Sequence, residues 1–234
     1  MQRASARELF DAADAVLLDA LGTLVALEPP APLLRDELGQ RFGIEVSLPQ
    51  AEAAIAAEIE YYRMHLDEGR DARSLAALRA RCAEVVGAAL ALPDRLEVPE
   101  ITEALLASLN FTPFDDVVPM LRAARAAGRR LVVVSNWDAS LPDVLDRLGL
   151  APLLDGVVTS ARAGARKPAP AIFEQALAIA DVAASRAIHV GDSLEEDVAG
   201  ARAAGVEPVL LRRKPPAGPP GVTAIASLAD LAGA

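Results

Sequence analysis

A chain of 234 residues, 53% of them hydrophobic, has ample material for a buried core and suits one large α/β domain or a domain carrying an insertion. Its formal charge of −10 argues against a nucleic-acid partner, and no stretch approaches the roughly 20 apolar residues of a membrane span, so neither a membrane nor a nucleic acid is expected as partner. The lone Cys82 excludes an internal disulfide framework and reads as a small apolar helix residue; with no apolar signal segment behind Arg3, Arg7 and Glu8, a cytoplasmic location is expected.

Ser5 and Glu8 have capping-box spacing, which predicts a short helix before the first strand. That strand is the apolar run Ala15-Val16-Leu17-Leu18, and Asp19 stands at its end. Ala20, Leu21, Gly22 and Thr23 follow, with Gly22 able to turn the chain sharply. From about Pro32 to Asn110 the periodicity is helical, with breaks at Gly43, Pro49, Gly69, Pro93 and Pro99. Helices are expected near 32–42, 50–68, 72–91 and 99–109, with no convincing strand among them. Residues 27–110 therefore read as a helical insert, and 1–26 with 111–234 as the core that it interrupts.

From Phe114 onward strands and helices alternate, the pattern of a parallel sheet with crossover helices. Helices are expected near 116–127, from Ser140 to Gly149 with Ser140 as its cap, at 169–180 and at 194–204. Strands are expected at Arg130–Val134, Gly156–Thr159, Ala187–Val190 and Val206–Leu211. Pro168 is expected in the first turn of the helix after Lys167. Arg212 to Gly221, with four prolines, reads as an exposed loop before a last short strand and helix. Polar residues close several of these strands: Asp19, then Ser135-Asn136, then Gly191-Asp192, with Lys167-Pro168 in a loop between. Ligands bind at the carboxyl ends of strands in an open parallel sheet, so these residues can converge despite their separation.

In this order the four sites resemble the signature of the haloacid dehalogenase-like hydrolase superfamily, in its small-helical-cap branch. The resemblance implies a Rossmann-like parallel sheet core with an inserted helical cap that selects a small-molecule substrate. It makes Asp19 the nucleophile, able to form a covalent intermediate that water later cleaves. Thr23 would hold the loop and help bind substrate, and Ser135 and Asn136 would offer donors to a substrate oxygen. Lys167 would neutralise Asp19 and the transferring group. Asp19, Asp192 and the backbone carbonyl of Leu21 would ligate Mg²⁺, a hard ion that prefers oxygen. Asp197 would orient waters or Lys167 from behind those ligands.

Each motif alone has a plainer reading: an Asp ending a strand, a Ser-Asn turn, a solvated loop with Arg162 and Arg166, and a helix cap formed by Ser193 and Glu196. Trp137 reads as a packing residue. Leu21 departs from the family's phosphatases, which carry there an Asp that protonates the leaving oxygen, a role typically worth about 10²–10⁴-fold. The 2-haloacid dehalogenases also lack that Asp, but generally lack the Gly191-Asp192 pattern as well. Three functions therefore stand: a Mg²⁺-dependent phosphohydrolase acting through an aspartyl-phosphate, a 2-haloacid dehalogenase-type hydrolase, or a weakened member that binds a metabolite or protein. In the insert, Tyr61, Tyr62, Arg63, His65, Arg70 and Arg73 are the candidate specificity residues. Neither His65 nor His189 stands out as catalytic. Oligomeric state is left open.

Overall fold

The computed structural model describes residues 4–92, 96–215 and 218–232. Arg3, the break at Pro93 and the loop proline Pro216 lie outside the described residues. In chain order the elements are α1 (Ala6–Ala12), β1 (Ala15–Leu18), β2 (Val25–Leu27), α2 (Pro30–Phe42), α3 (Leu48–His65), α4 (Ala72–Leu90), α5 (Val98–Ala107) and β3 (Phe111–Pro113). They continue with α6 (Val117–Ala126), β4 (Arg130–Ser135), α7 (Leu141–Arg147), β5 (Gly156–Thr159), α8 (Ser160–Ala163), α9 (Pro170–Ala180) and β6 (Ala187–Gly191). A π-turn over Leu194–Ala199 leads into α10 (Gly200–Ala203), followed by β7 (Glu207–Leu211), β8 (Thr223–Ile225) and α11 (Ala229–Ala232).

The chain divides into two compact units, residues 1–26 with 113–234 and residues 27–112. The first contains a six-stranded parallel sheet in the order β5-β4-β1-β6-β7-β8. All four residues of β1 are fully buried, as both faces of a parallel sheet require. On one face Leu17, Val132, Val134 and Val158 pack with Ile172, Phe173 and Ala176 of α9. Fully burying a side chain of this size contributes about 1.5–3 kcal/mol, so this layer holds the strand ends firmly in place. At the start of the chain, Ser5 and Glu8 make both hydrogen bonds of the capping box on α1.

The second unit is built on α2 to α5. Leu34, Leu38, Ala54, Leu78, Ala83, Val86 and Leu105 recur at helical spacing and meet in its core. Buried Cys82 belongs to this core, as its surroundings in sequence suggest.

Three local expectations need correction. The short strands β2 and β3, which pair with each other, were not foreseen, because three residues are too few to establish an alternating pattern. The helix after Lys167 starts at Pro170, so Pro170 and not Pro168 occupies its first turn, and Ala169 precedes it in extended conformation. Ser140 does not cap α7 with its side chain; its hydroxyl accepts from the Trp137 indole N–H at 3.4 Å. Among the described residues no helix is long and apolar enough to cross a membrane.

Candidate active site

The sheet register brings the polar strand ends together. Leu18 of β1 pairs with Val133 on one side and with Val190 on the other. Asp19, Ser135 and Asp192 therefore leave the sheet within a residue or two of one another. Lys167 arrives from the loop between α8 and α9, drawn in by Asn136. The Asn136 carbonyl oxygen accepts from the Lys167 backbone N–H at 2.7 Å, and its amide donates to the Lys167 carbonyl at 3.0 Å. The Asn136 side chain thus grips the backbone that carries Lys167, a role separate from the donors that Ser135 and Asn136 are expected to offer a substrate oxygen.

Lys167 is the centre of the arrangement. Its side chain is 1% exposed, and its Nζ donates to Asp19 Oδ1 and to Asp197 Oδ1, each at 2.6 Å. Burial alone would lower the ammonium, but the charges of Asp19 and then Asp197 outweigh it and hold Lys167 above its ordinary value. Asp197 would likewise be raised by burial, yet Lys167 and His189 hold it well below the usual carboxylate range. Asp19 is the other case: burial pushes its carboxyl up, against the pull of Lys167. The Ser135 hydroxyl also donates to Asp19 Oδ1, at 3.0 Å, so two donors on one oxygen fix the plane of this carboxylate.

Asp192 remains exposed on one side. Its carboxyl is pushed up to about 6, first by the protein packed around it, then by the negative charges of Asp19 and Asp197. Ligand atoms of Asp19, Asp192 and Asp197 all lie within 4.8 Å of one another. Three carboxylates facing one ammonium leave a local charge of −2 when all are ionised, which fits a divalent cation held by hard oxygen donors. Asp197 has its oxygens already engaged: Oδ1 by Lys167 and by His189 Nε2 at 2.9 Å, Oδ2 by the Ser193 backbone N–H at 2.9 Å. That leaves Asp19 and Asp192 the better suited side chains for a metal.

Two glycines make this crowding possible. Gly22 turns at φ +83°, and a Cβ on it would stand 2.3 Å from Asp192 Oδ2. A Cβ on Gly191 would stand 2.1 Å from the carboxyl carbon of Asp197. Leu21, beside Gly22, is 42% exposed and contributes no titrating group. Ser193 accepts from the Glu196 backbone N–H at 3.1 Å, so the segment caps a turn and lines the site at once.

Thr23 is fully buried, and its hydroxyl has no hydrogen-bond partner, so it does not hold the loop as expected. Trp137 is buried, as a packing residue should be, and Arg162 donates to the Ala139 carbonyl at 3.0 Å. In the second unit, Tyr61 and His65 meet edge to face with ring centroids 4.1 Å apart, and Tyr61 accepts from Arg81 Nε at 2.9 Å. Tyr62 packs against that unit's core, while Arg63, Arg70 and Arg73 are exposed.

His189 is the residue that sequence reasoning passed over. It is fully buried, stands edge to face with Phe173 at 5.0 Å, and points Nε2 at Asp197. With an ionised carboxylate opposite, Nε2 carries the proton. A signal was present: a histidine inside an otherwise apolar buried strand must find a polar partner or destabilise the fold.

The haloacid dehalogenase-like hydrolase family model matches residues 13–205. Haloacid dehalogenase-like hydrolase domain-containing protein 3 of Bos taurus is 43% identical over 99 residues, which are 42% of this chain and 39% of that protein. A ribulose-1,5-bisphosphate 5-phosphatase of Halopiger xanaduensis is 38% identical over 125 residues, 53% of this chain and 49% of that protein. The matches thus span less than half the length of these two curated relatives. Among solved structures, a 2-haloacid dehalogenase from Pseudomonas syringae pv. Tomato superposes with TM-score 0.67 at 26% identity, covering 92% of this chain and 95% of the other.

Proposed function

The chain belongs to the haloacid dehalogenase-like hydrolase family, and within it we propose a Mg²⁺-dependent phosphohydrolase that acts on a small phosphorylated molecule through an aspartyl-phosphate. The observation that carries this reading is the charge arrangement: Asp19, Asp192 and Asp197 are crowded together, while the Lys167 ammonium pairs with Asp19 and Asp197 and leaves Asp192 to a cation. A dehalogenation site has no use for the surplus of negative charge, since it would repel a carboxylate substrate. Asp19, Asp192 and the Leu21 carbonyl would hold Mg²⁺, which supplies charge neutralisation to a phosphoryl group and screens it from the carboxylates.

In this reading Asp19 attacks phosphorus with one carboxylate oxygen, the bond from phosphorus to the leaving oxygen breaks, and the electron pair departs with that oxygen. Water then cleaves the acyl phosphate, releasing inorganic phosphate and restoring Asp19. Lys167 and Ser135 keep the nucleophile from rotating, and Asn136 keeps Lys167 in reach. With Leu21 in place of an acid, the leaving oxygen receives no proton from this loop. Aryl and acyl phosphates, whose aryloxide or carboxylate leaving groups depart as stable anions, are therefore the favoured substrates, and hydrolysis of the aspartyl-phosphate limits turnover. The phosphatase name of the Halopiger relative supports the phosphoryl chemistry. A cytoplasmic, small-molecule role with the helical unit as substrate-selecting cap completes the proposal.

A second reading, hydrolysis of a 2-haloacid by Asp19, is favoured by one observation: Leu21 is apolar and exposed, and halide leaves without a proton. A panel of phosphates and haloacids, assayed with Mg²⁺ and with chelator, separates the two. Turnover of aryl or acyl phosphates that disappears with chelator and in Asp19→Asn supports the phosphohydrolase. Haloacid hydrolysis that survives chelation replaces it with the second reading. Silence on every compound, with a ligand still bound, leaves a binding protein.

A further inference from the structure

Arg213 lies two residues beyond β7, in the segment whose prolines mark it as an exposed loop. Its side chain is nevertheless only 19% exposed. The guanidinium stacks 3.7 Å above the Phe114 ring and pairs with Asp116 through two bonds of 2.9 Å, Nη1 to Oδ2 and Nη2 to Oδ1. On its other edge Nη2 donates to the Thr23 carbonyl at 2.7 Å and Nε to the Gly22 carbonyl at 3.3 Å. Asp116 is itself held by the Ser227 hydroxyl at 2.6 Å and the Leu228 backbone N–H at 2.8 Å. One planar fork thus ties the turn after Asp19 to a fixed point elsewhere in the same unit.

The turn has internal bonds of its own. Gly22 N–H donates to Val25 O at 2.8 Å, and Leu24 and Val25 N–H donate to Ala20 O at 2.8 and 2.9 Å. These set the shape of the turn but not its placement on the sheet edge. The Thr23 hydroxyl has no hydrogen-bond partner to place it. Beyond the turn, the Phe114 N–H donates to Leu24 O at 3.2 Å, so the residue under the guanidinium is part of the same anchorage. Placement matters here because Gly22 approaches Asp192 so closely that even a Cβ would collide with it.

We propose that Arg213 is a positioning residue for the nucleophile loop, clamping the Gly22 and Thr23 carbonyls so that Asp19 and the Leu21 carbonyl keep their place beside Asp192. Its effect on turnover rests on the hydrolase function proposed above; its effect on the loop does not. Lysine cannot replace it, because one ammonium cannot hold a carboxylate bidentately, stack on a ring and reach two carbonyls together.

The test uses Arg213→Lys and Arg213→Met in the full chain, with two readouts. Amide hydrogen exchange of the metal-free protein reports on the loop, and kcat and KM on p-nitrophenyl phosphate with Mg²⁺ report on the chemistry. Faster exchange is expected at residues 22–25 in both variants while β4 amides stay protected. Turnover is expected to fall in kcat by about 10²-fold in Arg213→Met, the usual effect of a small misplacement, with KM little changed. Unchanged exchange at 22–25 in a folded variant overturns the clamp. If neither Arg213 variant folds, Asp116→Asn, which keeps the arginine but removes its charged anchor, must show the same loop-confined exchange or the clamp is overturned. Raised loop exchange in a protein whose wild type hydrolyses no phosphate keeps the clamp and removes the hydrolase reading.

Discussion

Replacing Lys167 by methionine keeps most of the side-chain volume and removes the one ammonium that Asp19 and Asp197 share. Both bonds are 2.6 Å long, and the three side chains are 1%, 9% and 2% exposed, so no water can replace the lost partner without rearrangement. Breaking a buried ion pair from one side destabilises by about 3–5 kcal/mol, because the remaining charges stay buried. For a chain of this size that is a loss of about 6–20 °C in melting temperature. The loss has a sign in pH. In the wild type Lys167 depresses Asp197, which adds stability above the ordinary carboxylate pKa and loses it as pH falls. Without Lys167 the buried carboxylates titrate above their unfolded value, so the folded state gains on acidification. The deficit of Lys167→Met against wild type should therefore be largest near neutral pH and shrink toward pH about 4. Urea unfolding of both proteins across that range, without added metal, measures it. A deficit below about 1 kcal/mol at pH 7, the size of an exposed pair, or one independent of pH, would refute the view that this lysine neutralises a buried carboxylate cluster.

Leu21→Asp should raise Mg²⁺-dependent turnover of alkyl phosphates by about 10-fold or more, since the position is exposed and a carboxylate there needs no burial; a folded variant with no gain on any phosphate argues for dehalogenation or binding instead. Gly191→Ala should lose most turnover, because its methyl must displace the Asp197 carboxyl that anchors Lys167, and a steady-state assay with wild-type rates would show that Asp197 is dispensable. His189→Phe should release one bond on Asp197 and lower kcat more than it alters KM, whereas an unchanged kcat would reduce His189 to a packing residue. Glu58 is buried in the helical unit and raised by burial, against a hydrogen bond from Cys82, so Glu58→Gln should stabilise that unit at pH 7. The wild type loses stability as pH rises through the ordinary carboxylate range and glutamine does not, so the gain should fade toward pH 4 in thermal melts.

Much of the sheet was legible from local pattern. Ala15-Val16-Leu17-Leu18 and Gly156–Thr159 are bounded by turn chemistry, and both are strands over those residues. The four helices of the insert follow from apolar spacing between proline and glycine breaks, with ends that differ by three residues at most. Asp19 and Ser135 could be named because each directly follows an apolar run, and Asp192 because it stands one glycine beyond another; a polar residue at a strand end is visible without knowing which strand neighbours which. What the sequence could not show is who holds whom. The meeting of Lys167 Nζ with an oxygen 148 positions away was expected only through the family resemblance, while the grip of Asn136 on a backbone 31 positions on and the reach of Arg213 to carbonyls some 190 positions back had no sequence signal. His189 and Asp197 are near in sequence, but only the curl of the chain after β6 turns one onto the other. Hydrophobic periodicity records what a residue does for its own strand or helix, and it is silent about polar partners brought in by register. Those partners are decided by the order of the strands and the path of the loops, which is why local pattern could name candidate residues at the strand ends but not the side chains that hold them.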